Sequence, residues 1–540
     1  MVKKYFILFL FVSFNLFSQN TVGVLKNDTN SYNGYTLFTP FTSTETYLIN
    51  NCGEVVHQWT STTSPAASVY LLESGHLLRT GKITNTEITF GGVGGKIELF
   101  DWDNNLIWEY IYSNNLVAQH HDIFPLPNGN ILMLAVTTIS ESDAILMGRD
   151  PSLILDGKIY NEQVIELEPV GSNNANIVWE WNIKDHLIQD FDNTKANFGV
   201  VKDHPELLDF NFLNDNNGIA NWLHINSMQY NADLDQIILS SRILSEIYII
   251  DHSTTTAEAS SNTGGTYGKG GDFLYRWGNP VAYDIGDSSN RTLYSQHFPY
   301  WIPDNLIDAG KIIIFNNGNS IRYSSVDIIS PPTISTGVYS YDTLNGYGPT
   351  SAEWSYTAPN PSDFFSSILS SAQRLPNGNT LICDGDSGYF FEIDSNENIV
   401  WEYINPDSNN GPITQGEAPS LNFVFRAKKF PVDFPAFVGK DLTPGNPIEL
   451  NFDLSACTVL STSEYDISTQ LDVYPNPTSG SFDINTDLPI DKVEIYDVFG
   501  KLILTKIKTQ NLSIELLASG VYFVKIYSDN KMGTKKIIKH

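Results

Sequence analysis

Cysteine is scarce, with three in 540 residues: Cys52, Cys383 and Cys457. So few, with no C-x-x-C spacing, exclude both a disulfide-stapled miniature scaffold and a cysteine-held zinc site. Basic side chains are also sparse, 31 Lys and Arg against 61 Asp and Glu, for a net charge of −30. Phosphate backbones and anionic lipid need clustered cations, so this balance excludes a nucleic-acid partner and an acidic membrane surface. Charge of either sign is limited to 17%, while Gly, Asn, Ser, Thr and Tyr are plentiful, the composition of an exported β-rich protein. At 41% hydrophobic and 12% aromatic residues, the chain can fill a large core, which excludes wholesale disorder. The glycine runs GGVGGK (Gly91 to Lys96) and GGTYGKGGD (Gly264 to Asp272) precede strands rather than helices. They therefore read as ordinary loops and not as phosphate cradles, and no cofactor motif is present. DWDNN (Asp101 to Asn105) has the opening spacing of a calcium loop but lacks its closing glutamate.

Residues 1–19 combine Lys3 and Lys4 with an apolar run from Tyr5 to Phe17 and a small Ser18. This is the pattern of a secretory signal peptide, too short to span a bilayer, and no later segment is apolar enough to do so. An exported chain can form disulfides. Cys52 opens the repeat described next and Cys457 follows it, so a bond between them would tie its ends together; both staying free is the alternative. Cys383 lies in an apolar strand and reads as a buried thiol.

Residues 30–460 contain an internal repeat. One half ends in tryptophan: Trp59, Trp108, Trp179, Trp277, Trp354 and Trp401 account for six of the ten. The other half is strand, tight turn, strand, as in FPLPNGNILML around Gly129 and QRLPNGNTLIC around Gly378. Successive tryptophans are 49, 71, 98, 77 and 47 residues apart. Units of this length built from short strands predict an all-β fold, a six-bladed β-propeller, with a parallel β-helix as the rival.

Aligning the repeats on Pro127, Pro303 and Pro376 places His121, His297 and Ser370 six residues before each. His224 and His120 lie seven before their own turns, at Asn231 and Pro127. Imidazoles from separate blades are thus expected at one end of the innermost strands, where a propeller channel opens. Imidazole serves as nucleophile, acid or base near neutral pH. Three histidines can also hold zinc, but no carboxylate ligand beyond Asp122 accompanies them. Arg322, after the strand of the His297 repeat, is expected to reach the same mouth, where a guanidinium would grip a sulfuryl or phosphoryl group. His120, Asn226 and Trp301 are expected to line the substrate.

HHDIFPLPNGN, NWLHINSMQY with ILSSR, LYRWGNP, YSQHFPYWIP, IIIFNNG followed by Arg322, and AQRLPNGNTLICDGDSGYFFEID together resemble the bacterial arylsulfotransferase family over most of residues 35–440. The resemblance implies a six-bladed propeller that moves a sulfuryl group from an aryl sulfate to a phenol without the nucleotide donor PAPS. It also implies ping-pong transfer through a sulfated histidine. By motif, His224 and His297 match two family histidines and Arg322 the family arginine. The family's sulfated histidine follows the arginine, whereas here only His540 follows His297, and Ser370 occupies the matching slot. Either another imidazole, first His121, is the nucleophile, or the chain is an exported binding propeller for sulfated or phenolic ligands.

YPNPTSGSFDI (Tyr474 to Ile484), KVEIYDVFGKLIL (Lys492 to Leu504) and LASGVYFVKI (Leu517 to Ile526) alternate apolar and polar positions, which predicts a small C-terminal β-sandwich. These phrases resemble the type A C-terminal sorting domain of the type IX secretion system. The resemblance implies that secretion machinery as partner and a secreted or cell-surface location. The expected organisation is a signal peptide at 1–19, a propeller at 20–465 and a sorting domain at 471–540.

Overall fold

Tight hairpins set the architecture. In both PNGN turns the glycine, Gly129 or Gly378, has φ +90°, a backbone conformation that a side chain disfavours. The computed structural model describes residues 20–214, 217–457, 467–498, 500–528 and 531–540; the signal-peptide segment lies outside the described residues. The described residues are nearly all β, with two short α-helices at Glu141–Leu146 and Thr256–Ala259 among them, and the chain divides into two compact units, 1–457 and 458–540.

The first unit contains six antiparallel sheets of four or five strands, besides several two-stranded pairs. The leading strands of the six are Pro65–Leu71, Val117–Pro125, Ile225–Asn231, His297–Trp301, Ser371–Arg374 and Val424–Pro431. Each touches the next in that order, and Val424–Pro431 touches Pro65–Leu71, so the succession closes. Both ends of the unit are woven in. Gly23–Asn27 adds a fifth strand beside Ile399–Ile404, and Val424–Pro431 pairs with Gly34–Pro40. Cys52 and Cys457 form a disulfide with Cα atoms 5.2 Å apart, and Cys383 is free and buried.

The repeat tryptophans link neighbouring sheets. Trp59 donates its indole N–H to Asp101 O, Trp108 to Asn174 O, Trp179 to Thr254 Oγ1 and Trp277 to Pro349 O. Trp401 donates to Asn51 O, and Trp354 carries the Arg374 guanidinium 4.5 Å from its ring centre. A large ring that buries its body yet needs one acceptor suits a position where two sheets meet. Apolar clusters fill the spaces between the sheets, for example Trp181, Trp222, Leu239 and Phe273 in one and Ile313, Phe315, Phe364 and Phe391 in another.

The second unit has a three-stranded sheet (Asp472–Tyr474, Ser481–Asn485, Asn511–Ser513) and a four-stranded one (Leu502–Ile507, Lys492–Tyr496, Gly520–Ser528, Lys531–Lys539). Their alternating inward residues, Val473, Phe482, Ile484, Val493, Ile495, Val524 and Ile526, share one core.

Candidate functional site

The leading strands are not regular where the histidines lie. His120, His121 and Asp122 together oppose Leu134, Asn226 is an extra residue between Ile225 and Ser227, and Phe298 with Pro299 opposes Ile314. Phe425 and Arg426 likewise oppose Thr39. Such bulges bend a strand and re-aim its side chains. His121 (φ +46°), His224 (+50°) and Phe298 (+50°) are in the left-handed region, as is Ser370 (+92°). His121, His224 and Phe298 are thereby turned out of the regular strand pattern at or beside three leading strands, at a cost of order 1–3 kcal/mol per strained residue.

His120, His121 and His297 are buried and His224 is half-buried, and the imidazoles act on one another electrostatically. The His121 and His224 ring centres are 4.7 Å apart. Burial holds His121 well below the ordinary histidine pKa, reinforced by His224, His120 and His297. Burial does the same to His224, with the Arg242 guanidinium as the next cause. His297 falls to about 3, through burial and Arg242. Three neutral imidazoles therefore line the site across the physiological range.

Hydrogen bonds assign their protons. Asn317 donates its amide N–H to Ser366 O (2.8 Å) and Leu369 O (3.2 Å), which leaves its oxygen to accept from His297 Nδ1 at 2.7 Å. His297 thus keeps a lone pair on Nε2. The Asn221 amide nitrogen donates to His224 Nδ1 at 2.6 Å, which places the His224 proton on Nε2. His120 Nε2 lies 2.9 Å from Glu162 Oε2, while His120 Nδ1 lies 3.0 Å from His121 Nδ1. The Nε2–Oε2 line is off the axis of a linear hydrogen bond, so the pair is chiefly electrostatic. With the His120 proton drawn toward Glu162, His120 Nδ1 accepts from His121 Nδ1–H, and His121 Nε2 presents its lone pair.

A second buried network lies beside the first. The Arg426 guanidinium meets Asp122 (2.7 and 3.3 Å) and Tyr70 Oη (2.8 Å), and Gln229 donates to the same Tyr70 oxygen at 2.9 Å. These residues come from four leading strands, so the network joins four sheets. Arg426 also lies 4.1 Å from the Phe298 ring centre and contributes to the low His297 pKa.

Other expected residues fall elsewhere. Arg322 is exposed on the loop after Ile312–Asn316, at the His297 end of that sheet, with its guanidinium 4.7 Å from the Phe365 ring centre. Asn226 donates to Gln296 O (2.7 Å) and accepts from Ser227 Oγ (3.2 Å), so it bridges two sheets. Trp301 pairs with Ile312 at the far end of the His297 strand and packs on the Ile312–Tyr339 core. Ser370 Oγ donates to Ser366 Oγ (2.8 Å) and accepts from Gly385 N (3.0 Å), so its hydroxyl is engaged.

Sequence reasoning missed Glu162, Arg242, Asn317, Arg426 and Phe90, whose roles depend on contacts made far along the chain. It also read Gly92 as an ordinary loop residue. Gly92 has φ +89°, and a Cβ there would lie 2.2–2.4 Å from three atoms of the His121 ring. The repeat alignment held one usable signal: the offset of six against seven residues implies an inserted residue, which is what a bulge supplies.

The family description "Arylsulfotransferase (ASST)" matches residues 21–411, and "Secretion system C-terminal sorting domain" matches 472–540. No curated protein matches the sequence. Solved structures similar to the chain include a Bacteroides caccae protein of unknown function (10% identity, TM-score 0.41, 74% of this chain and 99% of that one). A streptogramin B lyase is also similar (14%, 0.32, 73% and 87%), as is the Pseudomonas aeruginosa periplasmic gluconolactonase PpgL (8%, 0.35, 69% and 96%). The sorting domain marks the protein for export by the type IX system to the cell surface or the medium. Among the described residues no helix is long and apolar enough to cross a membrane. With its family match spanning 391 of 540 residues, the chain belongs to the arylsulfotransferase (ASST) family.

Proposed function

We propose that the protein is an exported, PAPS-independent aryl-sulfate sulfotransferase that works through His121. The observation that carries this reading is the meeting of three neutral imidazoles, with His121 Nε2 holding a lone pair. His121 Nε2 attacks sulfur, an N–S bond forms, the S–O(aryl) bond breaks, and the aryl oxide leaves with its electron pair. His224 Nε2–H hydrogen-bonds a sulfuryl oxygen, and the Arg242 and Arg426 guanidiniums favour negative charge in the site. Arg322, on the rim, caps the sulfuryl group as it enters.

In the second half-reaction the phenol oxygen bonds to sulfur and the N–S pair returns to His121. The phenolic proton passes to His297 Nε2, whose low basicity hands it on to the departed aryl oxide or to water. The body, residues 20–465, is read as a six-bladed propeller, supported by the closed succession of leading strands, and residues 471–540 as a β-sandwich.

A binding-only propeller for sulfated or phenolic ligands is the second reading, favoured by the engaged hydroxyl of Ser370 where relatives carry a histidine. Nitrophenol release by the full chain from p-nitrophenyl sulfate, with and without phenols, separates the two. Acceptor-dependent release that disappears in His121→Ala supports transfer. Ligand binding without release supports the binding reading.

A further inference from the structure

Three buried side chains outside the histidine cluster share one carboxylate. Lys429 lies on the leading strand Val424–Pro431, Glu392 on Tyr389–Ile393, and Asn379 closes the PNGN turn before Thr380–Asp384. They are 2%, 0% and 6% exposed. Lys429 Nζ donates to Glu392 Oε2 at 2.9 Å, and Asn379 Nδ2 donates to Glu392 Oε1 at 2.6 Å. Asn379 Nδ2 also donates to Asn30 O at 2.8 Å, so the nitrogen of the carboxamide, and not its oxygen, faces the acid. Amine and carboxamide are thus neighbours on the two oxygens of one carboxylate. Glu392 pairs with Trp401 across the sheet, and the Trp401 ring centre lies 4.3 Å from Lys429 Nζ, so an aromatic face covers the amine.

The PNGN turn at Gly129 separates the clasp from the lysine. There Asn130 donates to Glu166 in the same way, and the third partner is His252. The asparagine–glutamate bond therefore forms without a lysine, and Lys429 is an addition to it. A buried ion pair is often no more stable than apolar residues of the same volume, so fold stability does not account for an amine at this place. Burial holds the Lys429 pKa below that of an ordinary lysine, against the pull of Glu392, which favours the neutral, nucleophilic amine.

We propose that Lys429 and Asn379 join in an intramolecular isopeptide bond, with Glu392 as its base and acid. Glu392 takes a proton from the Lys429 ammonium, and Nζ attacks Asn379 Cγ. The Cγ–Nζ bond forms and the Cγ–Nδ2 bond breaks. Nδ2, already hydrogen-bonded to Glu392, takes the proton from it and leaves as ammonia, and the second amine proton passes to Glu392. The bond fastens the leading strand Val424–Pro431 to the turn of the neighbouring sheet, in an exported chain that a disulfide also closes. It does not depend on the transfer reading.

Mass spectrometry of the reduced, denatured full chain tests it. The protein is expected to be lighter than its sequence by one ammonia. Trypsin should release a branched peptide that joins Leu375–Arg426 to the segment carrying Lys429. Glu392→Gln and Lys429→Met are each expected to restore the ammonia and abolish the branched peptide. A wild-type chain of full mass overturns the proposal. So does an ammonia loss that persists in Lys429→Met, which would place it at a succinimide in an Asn–Gly turn. Should either variant fail to fold, the wild-type mass and the branched peptide decide between bond and no bond.

Discussion

His120 Nδ1 lies 3.0 Å from His121 Nδ1, and the opposite nitrogen of His120 lies 2.9 Å from Glu162 Oε2. A carboxylate thereby acts on His121 through an intervening imidazole. His120 and Glu162 are positioning residues in this arrangement. Glu162→Gln is expected to lower the rate of nitrophenol release by roughly 10²-fold with binding of the aryl sulfate unchanged. A loss confined to binding would assign Glu162 a purely structural role.

Because burial keeps His121, His224 and His297 neutral, the release rate should stay flat through pH 6.5, where free histidine titrates. A limb at 6.5 in the pH profile would mean that the reacting imidazole is solvated.

Folding stability responds to the same burial. The unfolded chain binds protons at these three histidines below about pH 6.5 and the folded chain does not. Their contribution is full above 6.5 and falls with pH, by about 1.4 kcal/mol per pH unit for each group. His252 works in the opposite sense. Though burial opposes it, bonds to Glu166 (3.0 Å) and Asp235 (2.7 Å) raise its pKa, so its stabilisation is full below 6.5 and is lost as pH rises through the raised value. Denaturant unfolding at pH 5 and 7 should show a net loss at pH 5, reduced in His224→Gln and enlarged in His252→Gln.

Gly92→Ala is expected to abolish turnover while the protein still folds, since the new Cβ would press on the face of the His121 ring. Gly91→Ala, with open space around its Cβ, is the control. Equal activity in the two variants would separate Gly92 from His121.

Arg426→Met leaves Asp122 buried without its ion pair, at a cost of about 3–5 kcal/mol. Adding Asp122→Asn should restore part of that loss in denaturant unfolding, because the uncompensated charge is gone. Cys52→Ser frees a loop closed over 405 residues and should cost about 2–5 kcal/mol, seen as a lower midpoint without loss of transfer.

The periodic features of the chain were legible from its residues alone. Turn chemistry, strand alternation and the recurring tryptophan are local, so they marked the strand-rich repeat, the sorting segment and a histidine at the start of several leading strands. What tertiary structure decided is which atoms of those histidines are free. His224 and His297 receive opposite tautomers because Asn221 donates to one and Asn317 accepts from the other. His121 depends on Glu162, 41 residues along the chain, and on a glycine over its ring. Asn226 and Trp301, which share the histidine motifs in sequence, are turned to bridging and packing by one inserted residue and by the length of a strand. Spacing along a chain fixes which residues recur; only the closed succession of sheets, with its bulges and buried partners, fixes where their side chains point and which protons they hold.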